Sequence, residues 1–355
     1  MRCTNSYGVS EVVGLVLVAT ISISAISLVV FWGIPYIDAK KISVRIDSAL
    51  TQFKTINDAI QRVSSEGINR SERVDFVTDA GEVNINKGER FILYYSVVGS
   101  LTDAFDFSVK SLDNDDNTFT IQVNKIPLTG NPWDNDHYLV VDVYYIDEEK
   151  SDRIVPQDQY PITNSDVSYT YDSSRYDLDT AIKIDIKLVS SLGAPEPDIF
   201  VGRIWLFDVG SISYDLSTPK DTYNVVAENE GVTRVSSGSG YLYYTPKIYH
   251  KDDSLTFRIT RLVPRDVTGI SGMSKCTLQI KCENSSVMEN KIHIPIDFKI
   301  EIYGDERITA AWTDYFTSKI GFTETNGILN LRTSAPDRAI SFTLVYSVCE
   351  VSLMV

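Results

Sequence analysis

The feature that most constrains this chain is an unbroken run of 23 residues without a charge at positions 12–34, VVGLVLVATISISAISLVVFWGI. A helix of that length rises about 35 Å, enough to cross the roughly 30 Å hydrocarbon core of a bilayer. A secretory signal peptide has a shorter apolar region followed by a small-residue cleavage site, and no such site follows Trp32. The run therefore predicts a transmembrane helix that the mature protein keeps.

Small and weakly polar residues are scattered through this run, at Gly14, Thr20, Ser22, Ser24 and Ser27. In lipid, such residues let neighbouring helices approach closely, because their side chains leave room for the backbones to pack. We therefore expect membrane lipid around the helix and, as a further partner, a second helix of the same kind.

The next segment, residues 36–67, has the pattern of an amphipathic stalk helix, and Pro35 before it predicts a kink or break. Its apolar residues recur in alternating steps of four and three, at Ile42, Ile46, Ala49, Phe53, Ile56, Ile60 and Val63. Such a stripe can form a coiled-coil seam or pack on the chain's own domain, and we favour the second interpretation. Gly67 is the expected C-cap.

After Gly67 the pattern changes to short runs of β-branched and aromatic residues separated by turn residues, which is typical of an all-β body. The sequence contains 20 tyrosines and 14 phenylalanines, most of them in such runs. The predicted strands cover residues 73–78, 82–86, 90–98, 105–109, 119–123, 138–145, 182–189, 199–208, 223–226, 241–244, 256–263, 277–280, 293–303, 328–331, 340–346 and 351–355.

One short helix is expected among the strands of the C-terminal half. Asp305 is suited to cap its N-terminus, and Ile308, Trp312, Phe316 and Ile320 follow at four-residue steps. This face should pack on a sheet. The predicted fold class is therefore mainly β with a long N-terminal α-helix, in which a transmembrane and stalk helix precedes a β-sandwich-like body.

The charge balance excludes one class of partner. The chain has 48 acidic and 33 basic residues, a net charge of −15 and a pI near 4.7. Because a surface of this sign repels phosphate backbones, we expect no nucleic acid partner.

Motifs of catalysis and metal binding are missing from the sequence. There is no GxSxG nucleophile elbow, Walker loop, HExxH pair or dinucleotide fingerprint. His137, His250 and His293 do not have metal-ligand spacing with one another. The acidic run at residues 113–117 offers oxygen ligands but lacks the Gly and the closing Glu of an EF-hand loop. We therefore predict that the protein is not an enzyme and has no metal or cofactor.

The four cysteines, Cys3, Cys276, Cys282 and Cys349, do not have the close paired spacing of a zinc or redox motif. Cys276 and Cys282 lie six positions apart in one expected strand, about 20 Å if extended, which is beyond disulfide reach. Either of them could instead pair with Cys349. The alternative is three buried free thiols, and the sequence leaves both open.

The segment GVSEVVG at residues 8–14, ahead of the apolar run and the stalk, resembles the N-terminus of archaeal type IV pilins. This resemblance implies that residues 1–8 are a leader, which a prepilin peptidase removes by cutting between Gly8 and Val9. Residues 9–35 would then be the membrane anchor and filament core. Glu11 would be the third residue of the mature chain, where its carboxylate would either meet a neighbour's free amino terminus or lie at the membrane surface.

The body carries a second resemblance to archaeal pilin-like ectodomains. It rests on the order of three elements, RIWLF at residues 203–207, NEG at residues 229–231 and the helix with Trp312. The resemblance implies one β-rich pilin-like ectodomain built from residues 68–94 and 199–355, with residues 95–198 as an inserted β-sandwich. The alternative is two sequential domains.

Two signals oppose each other on the side of the membrane where the body lies. Lys40, Lys41 and Arg45 follow the apolar run, whereas only Arg2 precedes it, so the positive-inside rule places the body in the cytoplasm. The resemblance to pilins implies the opposite, an extracellular body.

These expectations combine into one leading hypothesis. The chain would be a type IV pilin-like structural protein of the cell surface, anchored in the membrane before assembly and then a filament or minor pilin subunit in adhesion. Sequons at Asn69 and Asn284 fit this location, since each can accept a glycan. The alternative is a non-polymerising single-pass surface protein whose β-sandwich binds a ligand or glycan.

Overall fold

The structure of the protein is a computed structural model. It describes residues 7–78, 80–86, 88–97, 105–113, 118–125, 137–146, 150–154, 167–172, 181–190, 198–218, 221–251, 254–265, 268–272, 274–293, 296–332 and 340–354. The chain divides into two compact units, of which the first ends at Thr51 and the second begins at Gln52. The predicted fold class is confirmed, since a long apolar helix precedes a body made mainly of strands with one short helix.

The N-terminal helix runs without interruption through three consecutive pieces. These are α1 (Tyr7–Leu28), a π-helical turn (Val29–Gly33) and α2 (Ile34–Glu66). The helix passes through Pro35, so the break predicted there does not occur. A proline lacks an N–H and crowds the preceding turn of a regular α-helix, and the wider π turn before it relieves that crowding.

The described residues of the second unit form 22 strands. In chain order these are β1 (Ser71–Thr78), β2 (Glu82–Asn86), β3 (Arg90–Val97), β4 (Phe105–Asp113), β5 (Thr118–Lys125), β6 (His137–Tyr145), β7 (Lys150–Ile154), β8 (Val167–Asp172), β9 (Ile182–Ser190), β10 (Ile199–Asp208), β11 (Ser211–Ser217), β12 (Thr222–Glu228), β13 (Gly231–Ser236), β14 (Ser239–Tyr244), β15 (Tyr249–Lys251), β16 (Ser254–Pro264), β17 (Gly269–Ser271), β18 (Ser274–His293), β19 (Ile296–Tyr303), β20 (Thr323–Thr325), β21 (Ile328–Arg332) and β22 (Ile340–Met354).

The described strands are arranged in four sheets. A five-stranded sheet has the order β1-β18-β22-β16-β15, and an eight-stranded sheet has the order β20-β21-β19-β3-β10-β9-β6-β7. A six-stranded sheet has the order β14-β13-β12-β11-β2-β17, and β4-β5-β8 form a small sheet of three. In the five-stranded sheet β22 runs parallel to β16 and antiparallel to β18.

The main core lies between the five-stranded and the eight-stranded sheets. Phe257 on β16 and Phe342 on β22 both meet Phe298 on β19, with ring centroids 5.6 and 5.1 Å apart. Phe207 on β10 stacks on Tyr346 of β22 at 5.3 Å. All five rings are buried. Two sheets that bury their facing aromatic side chains in this way form a β-sandwich.

The segment predicted as an insertion, residues 95–198, divides between two sheets. Its strands β6, β7 and β9 continue the eight-stranded sheet, because β9 pairs with β10, with Ile184 opposite Ile204. Its strands β4, β5 and β8 pair only with one another among the described strands. Strand β3 of the same large sheet extends to Val97, across the predicted boundary at residue 95.

The longest strand, β18, differs most from its prediction. The sequence pattern predicted a strand at residues 277–280, with Cys276 and Cys282 at its two ends, whereas β18 covers Ser274–His293. Its middle, ENSSV, has no apolar alternation, and the pairing with β22 shifts register on both sides of it, at Cys282/Asn284 and Val287/Glu289. This stretch is a strand because its backbone pairs with β22, although its own side-chain pattern does not predict one.

The predicted C-terminal helix is confirmed. α3 (Glu306–Tyr315) begins after Asp305, whose carboxylate accepts a hydrogen bond of 2.8 Å from the Arg307 N–H. A π turn, Phe316–Ile320, continues it. All four residues of its predicted apolar face are buried, namely Ile308, Trp312, Phe316 and Ile320.

Candidate functional site

The first candidate site is the apolar part of the N-terminal helix. The helix Val12–Glu66 contains a stretch that is long and apolar enough to cross a membrane, and no part of that stretch is buried within the protein. Leu15, Phe31 and Trp32 each expose about three quarters of their surface, at 74%, 76% and 77%. Since apolar residues occupy every side of the helix, it needs an apolar environment from outside the chain.

Aromatic and basic residues lie in the last turn of the apolar run and just beyond it. Phe31, Trp32 and Tyr36 are exposed, and the Lys40 ammonium lies 5.9 Å from the centroid of the Tyr36 ring. Aromatic rings and long basic side chains are characteristic of the boundary between hydrocarbon and water. Among the described residues, one helix is thus long and apolar enough to span a bilayer, and it carries aromatic and basic residues at the C-terminal end of its apolar run.

The predicted processing and assembly residues lie at the start of this helix. Gly8, Val9 and Glu11 are in the first turns of α1, which begins at Tyr7. The predicted cut between Gly8 and Val9 thus falls inside the first helical turn. Residues 1–6, with most of the predicted leader and Cys3, lie outside the described residues.

The end of the helix is part of the β body. Phe53, Ile56, Ile60 and Val63 of α2 are buried, and the ring of Phe53 meets that of Phe76 on β1 edge to face at 5.8 Å. From residue 53 onward the apolar stripe therefore packs on the chain's own strands. This confirms the favoured interpretation for that part of the stripe, since a coiled-coil seam would leave it exposed in a single chain.

A polar arrangement, here named the Glu230 clamp, holds the same helical segment. Asn229 and Glu230 connect β12 to β13 and have φ angles of 43° and 60°, as in a type I′ turn. The Glu230 carbonyl accepts hydrogen bonds from the side-chain amides of Asn57 and Gln61 at 2.9 and 3.0 Å. The clamp consists of Asn57, Gln61, Ser64, Glu230 and Thr260.

The Glu230 carboxylate completes the clamp. It accepts hydrogen bonds from the hydroxyls of Ser64 and Thr260 at 2.7 and 2.9 Å. All three residues are almost fully buried. Because a buried carboxylate is costly unless it is hydrogen-bonded, the position of the helix is tied to these donors.

Two further buried acids, here named the Glu89–Glu228 pair, form hydrogen bonds with α3 and with the residue before it. The Glu228 carboxylate accepts hydrogen bonds from the Trp312 indole at 2.7 Å and from the Glu89 N–H at 3.2 Å. The Glu89 carboxylate accepts one from the Asp305 N–H at 3.1 Å. A Cβ at Gly304 would lie 1.4 Å from the Glu89 carboxylate, so only glycine fits there.

Burial changes the protonation of this pair. Desolvation raises the pKa of Glu89 to about 8, with the charge of Glu228 adding to the effect. Desolvation likewise raises the pKa of Glu228 to about 7. The folded protein therefore binds protons on these carboxyls at a pH where an unfolded chain has released them.

We expect the free energy of unfolding to fall as the pH rises from about 5 to about 8. The stabilisation is complete below the ordinary pKa of about 4.5 and is lost as the pH passes through the raised values, at about 1.4 kcal/mol per pH unit for each proton. Denaturant unfolding of the full chain in detergent across this range measures the slope. Glu228→Gln should flatten it, whereas the exposed control Glu82→Gln should not; equal slopes in all three proteins would contradict the assignment.

An ion cluster connects the eight-stranded sheet to β18. The Arg203 guanidinium donates to both oxygens of Asp185, one of them at 2.9 Å, and also to Glu289. The side chains of Arg203, Asp185 and Glu289 are 9%, 6% and 1% exposed. The guanidinium also lies 5.6 Å from the Trp205 ring. The cluster is deeply desolvated and depends on all of its members.

The structure brings the predicted sequons and two of the cysteines to one corner of the five-stranded sheet. Asn69 is exposed in the turn between α2 and β1, and its N–H donates to the Cys282 carbonyl at 2.8 Å. Asn284 is half-buried two residues farther along β18. Cys282 pairs directly with Cys349, whereas Cys276 pairs with Phe76.

The three histidines named from the sequence lie on three different described strands. His250 is exposed and its Nδ1 lies 2.9 Å from the Ile320 carbonyl oxygen. His137 begins β6 and His293 ends β18. Residues 114–117 of the acidic run lie outside the part of the chain that the structure describes.

Sequence reasoning missed the Glu89–Glu228 pair and the Arg203 cluster. One signal was available, because Glu228 directly follows the apolar residues Val225, Val226 and Ala227 on a strand that ends in a tight turn. Nothing in the sequence relates Arg203 to Glu289, which are far apart along the chain.

Comparisons of this chain with protein-family models, with curated proteins and with solved structures found no significant match.

Proposed function

We propose that this chain is a membrane-anchored, pilin-like protein of the cell surface that serves as a filament subunit or minor pilin. The supporting observation is the continuity of the helix Val12–Glu66, whose first part is apolar and exposed and whose last turns are buried in the β body. A simple tether needs no such continuity, since a flexible linker would hold the body equally well. A helix built into the body fits an anchor that is also a packing element.

The surface of the apolar helix is suited to two environments. Its side chains are covered equally well by lipid tails or by the helices of neighbouring copies, because both are apolar. Small residues such as Gly14 and Ser24 favour close helix approach in either case. The Thr20 hydroxyl donates to the Val16 carbonyl at 2.8 Å, so it is satisfied within the helix. Transfer from bilayer to filament would therefore leave the Thr20 hydroxyl hydrogen-bonded.

The processing step gives the sharpest test of the pilin assignment. In a host with the cognate prepilin peptidase, we expect the mature chain to begin at Val9, and we expect Gly8→Val to keep its leader. The N-terminus is determined by mass spectrometry of the purified protein. Gly14→Val is the matched control, because it changes a glycine of the same helix away from the cut. Cleavage of Gly8→Val at the wild-type position, or a wild-type chain that starts elsewhere, would count against the proposal.

A second candidate function is a non-polymerising surface protein that binds a ligand or glycan. The observation that favours it is the exposure of three tyrosines, 65% for Tyr241 and 54% for Tyr243 on the edge strand β14, and 62% for Tyr249 on β15 of another sheet. Aromatic rings at a surface commonly contact ligands. Recovery of the protein in sheared filaments would favour the first candidate, and its retention in the membrane fraction alone would favour the second.

A further inference from the structure

Two of the buried cysteines face each other across neighbouring strands. Cys282 on β18 lies directly opposite Cys349 on the antiparallel strand β22. Directly opposed residues in such a pair project their side chains from the same face of the sheet. Both residues are completely buried. The two sulfur atoms therefore share one enclosed space.

The backbone hydrogen bonds show which kind of pair this is. The Cys282 N–H donates to the Arg70 carbonyl and the Cys282 carbonyl accepts from the Asn69 N–H, both at 2.8 Å. In an antiparallel strand the N–H and C=O of one residue point to the same side, so both groups of Cys282 point away from β22. Cys282 and Cys349 are therefore a non-hydrogen-bonded pair, whose Cα atoms are typically about 4.5 Å apart. Disulfides form over Cα separations of roughly 4.4–6.8 Å.

We propose that Cys282 and Cys349 form a disulfide that joins β18 to β22, and that Cys276 keeps its thiol. Cys276 faces Phe76 on β1 instead of a cysteine. It is six positions from Cys282 on the same strand, about 20 Å away, and Cys349 lies opposite Cys282. Among the three described cysteines, only this pair meets the geometric requirement. The proposal goes beyond the function proposed above and does not depend on pilin assembly.

The environment of the pair determines the order of the reaction. The Cys349 thiol donates a hydrogen bond to the Cys282 sulfur, which lowers the pKa of Cys282 and raises that of Cys349. Cys282 is thus the more acidic of the two thiols. Because both sulfur atoms are enclosed once β18 and β22 have packed, the exchange takes place during folding: the Cys282 thiolate attacks a small-molecule or protein disulfide, forms a mixed disulfide and releases one thiol. Cys349 then gives up its proton and displaces the second thiol, so that two protein thiols are oxidised while one disulfide is reduced to two thiols.

The bond would constrain a large part of the C-terminal half. The loop that it closes runs from residue 282 to residue 349 and contains β19, α3, β20 and β21. Closing a loop of this length lowers the equilibrium constant for unfolding by about a thousandfold, mainly by restricting the unfolded chain. The pair also lies beside the exposed turn at Asn69, which connects α2 to β1.

The test uses the full chain with Cys3→Ala, refolded in detergent from the reduced state with a mixture of oxidised and reduced glutathione. Free thiols are then alkylated, the protein is digested without reduction, and the peptides are identified by mass spectrometry. We expect one cross-linked peptide pair containing Cys282 and Cys349, together with an alkylated peptide containing Cys276. Alkylation of all three, a cross-link that involves Cys276, or a persistent glutathione adduct would overturn the proposal.

Stability measurements provide a second readout. Reductant should raise the unfolding equilibrium constant of this protein and of its Cys276→Ala derivative by about a thousandfold. Reductant should not change the unfolding equilibrium constants of Cys282→Ala and Cys349→Ala. If reductant does not change the unfolding equilibrium constant of the protein that keeps all three cysteines, the disulfide does not stabilise the fold as proposed. The peptide mapping needs no further substitution, so it decides the question even if a cysteine variant does not fold.

Discussion

Replacing Arg203 by methionine should lower the free energy of unfolding by about 3–5 kcal/mol, because it removes the cation that donates to the buried Glu289 carboxylate and leaves Asp185 only Lys183, 3.7 Å away, as its counter-ion. Asp185 and Glu289 both receive hydrogen bonds from this one guanidinium, and neither is more than 6% exposed at its side chain. Methionine has a similar volume, so the loss would reflect charge more than a large cavity. Denaturant unfolding of the full chain in detergent, followed by circular dichroism, measures it.

Two controls separate the ion cluster from a general effect of losing an arginine. Arg73→Met changes an exposed arginine on β1 and should shift stability by no more than about 0.5 kcal/mol. Neutralising the partners as well, with Asp185→Asn and Glu289→Gln added to Arg203→Met, should recover much of the loss. A triple variant as unstable as the single variant would mean that packing, and not unpaired charge, dominates at this position.

The second large effect is expected in the membrane helix. Placing aspartate at both Val18 and Ile23 should disfavour bilayer insertion by about 6 kcal/mol, since each charge near the helix centre costs about 3 kcal/mol relative to an aliphatic residue. Aspartate is too short to reach the interface from these positions. We expect the wild-type chain to remain with membranes after an alkaline wash and the double variant to be released from them.

One control changes the same two positions without adding a charge, and the other adds a carboxylate elsewhere in the helix. Leucine at both positions preserves the apolar surface and should leave the protein in the membrane. Val44→Asp adds a charge at an exposed position of the same helix beyond the apolar run, where it should have little effect. Retention of the double aspartate variant in washed membranes would show that residues 12–34 are not what anchors the chain.

The sequence predicted the fold class well because the periodicities are strong. Residues 12–34 can only be an apolar helix, and Asp305 with the four-residue steps from Ile308 marks α3 clearly. Most strands were also predicted near their observed positions, since β-branched and aromatic residues alternate there. Seven of the described strands were not predicted, namely β7, β8, β11, β13, β15, β17 and β20. Strand β18 was predicted only in part, because a polar stretch in it is held in extended form by β22 and not by its own pattern.

The sequence by itself determined a membrane-spanning helix, a long amphipathic continuation and a β-rich body, because each depends on residues close together along the chain. Only the tertiary structure decided which residues meet. It placed Glu230 under α2, Arg203 between two acids and Cys282 opposite Cys349. These contacts join strands far apart in sequence, and their register is set by the packing of whole sheets, which local periodicity does not specify.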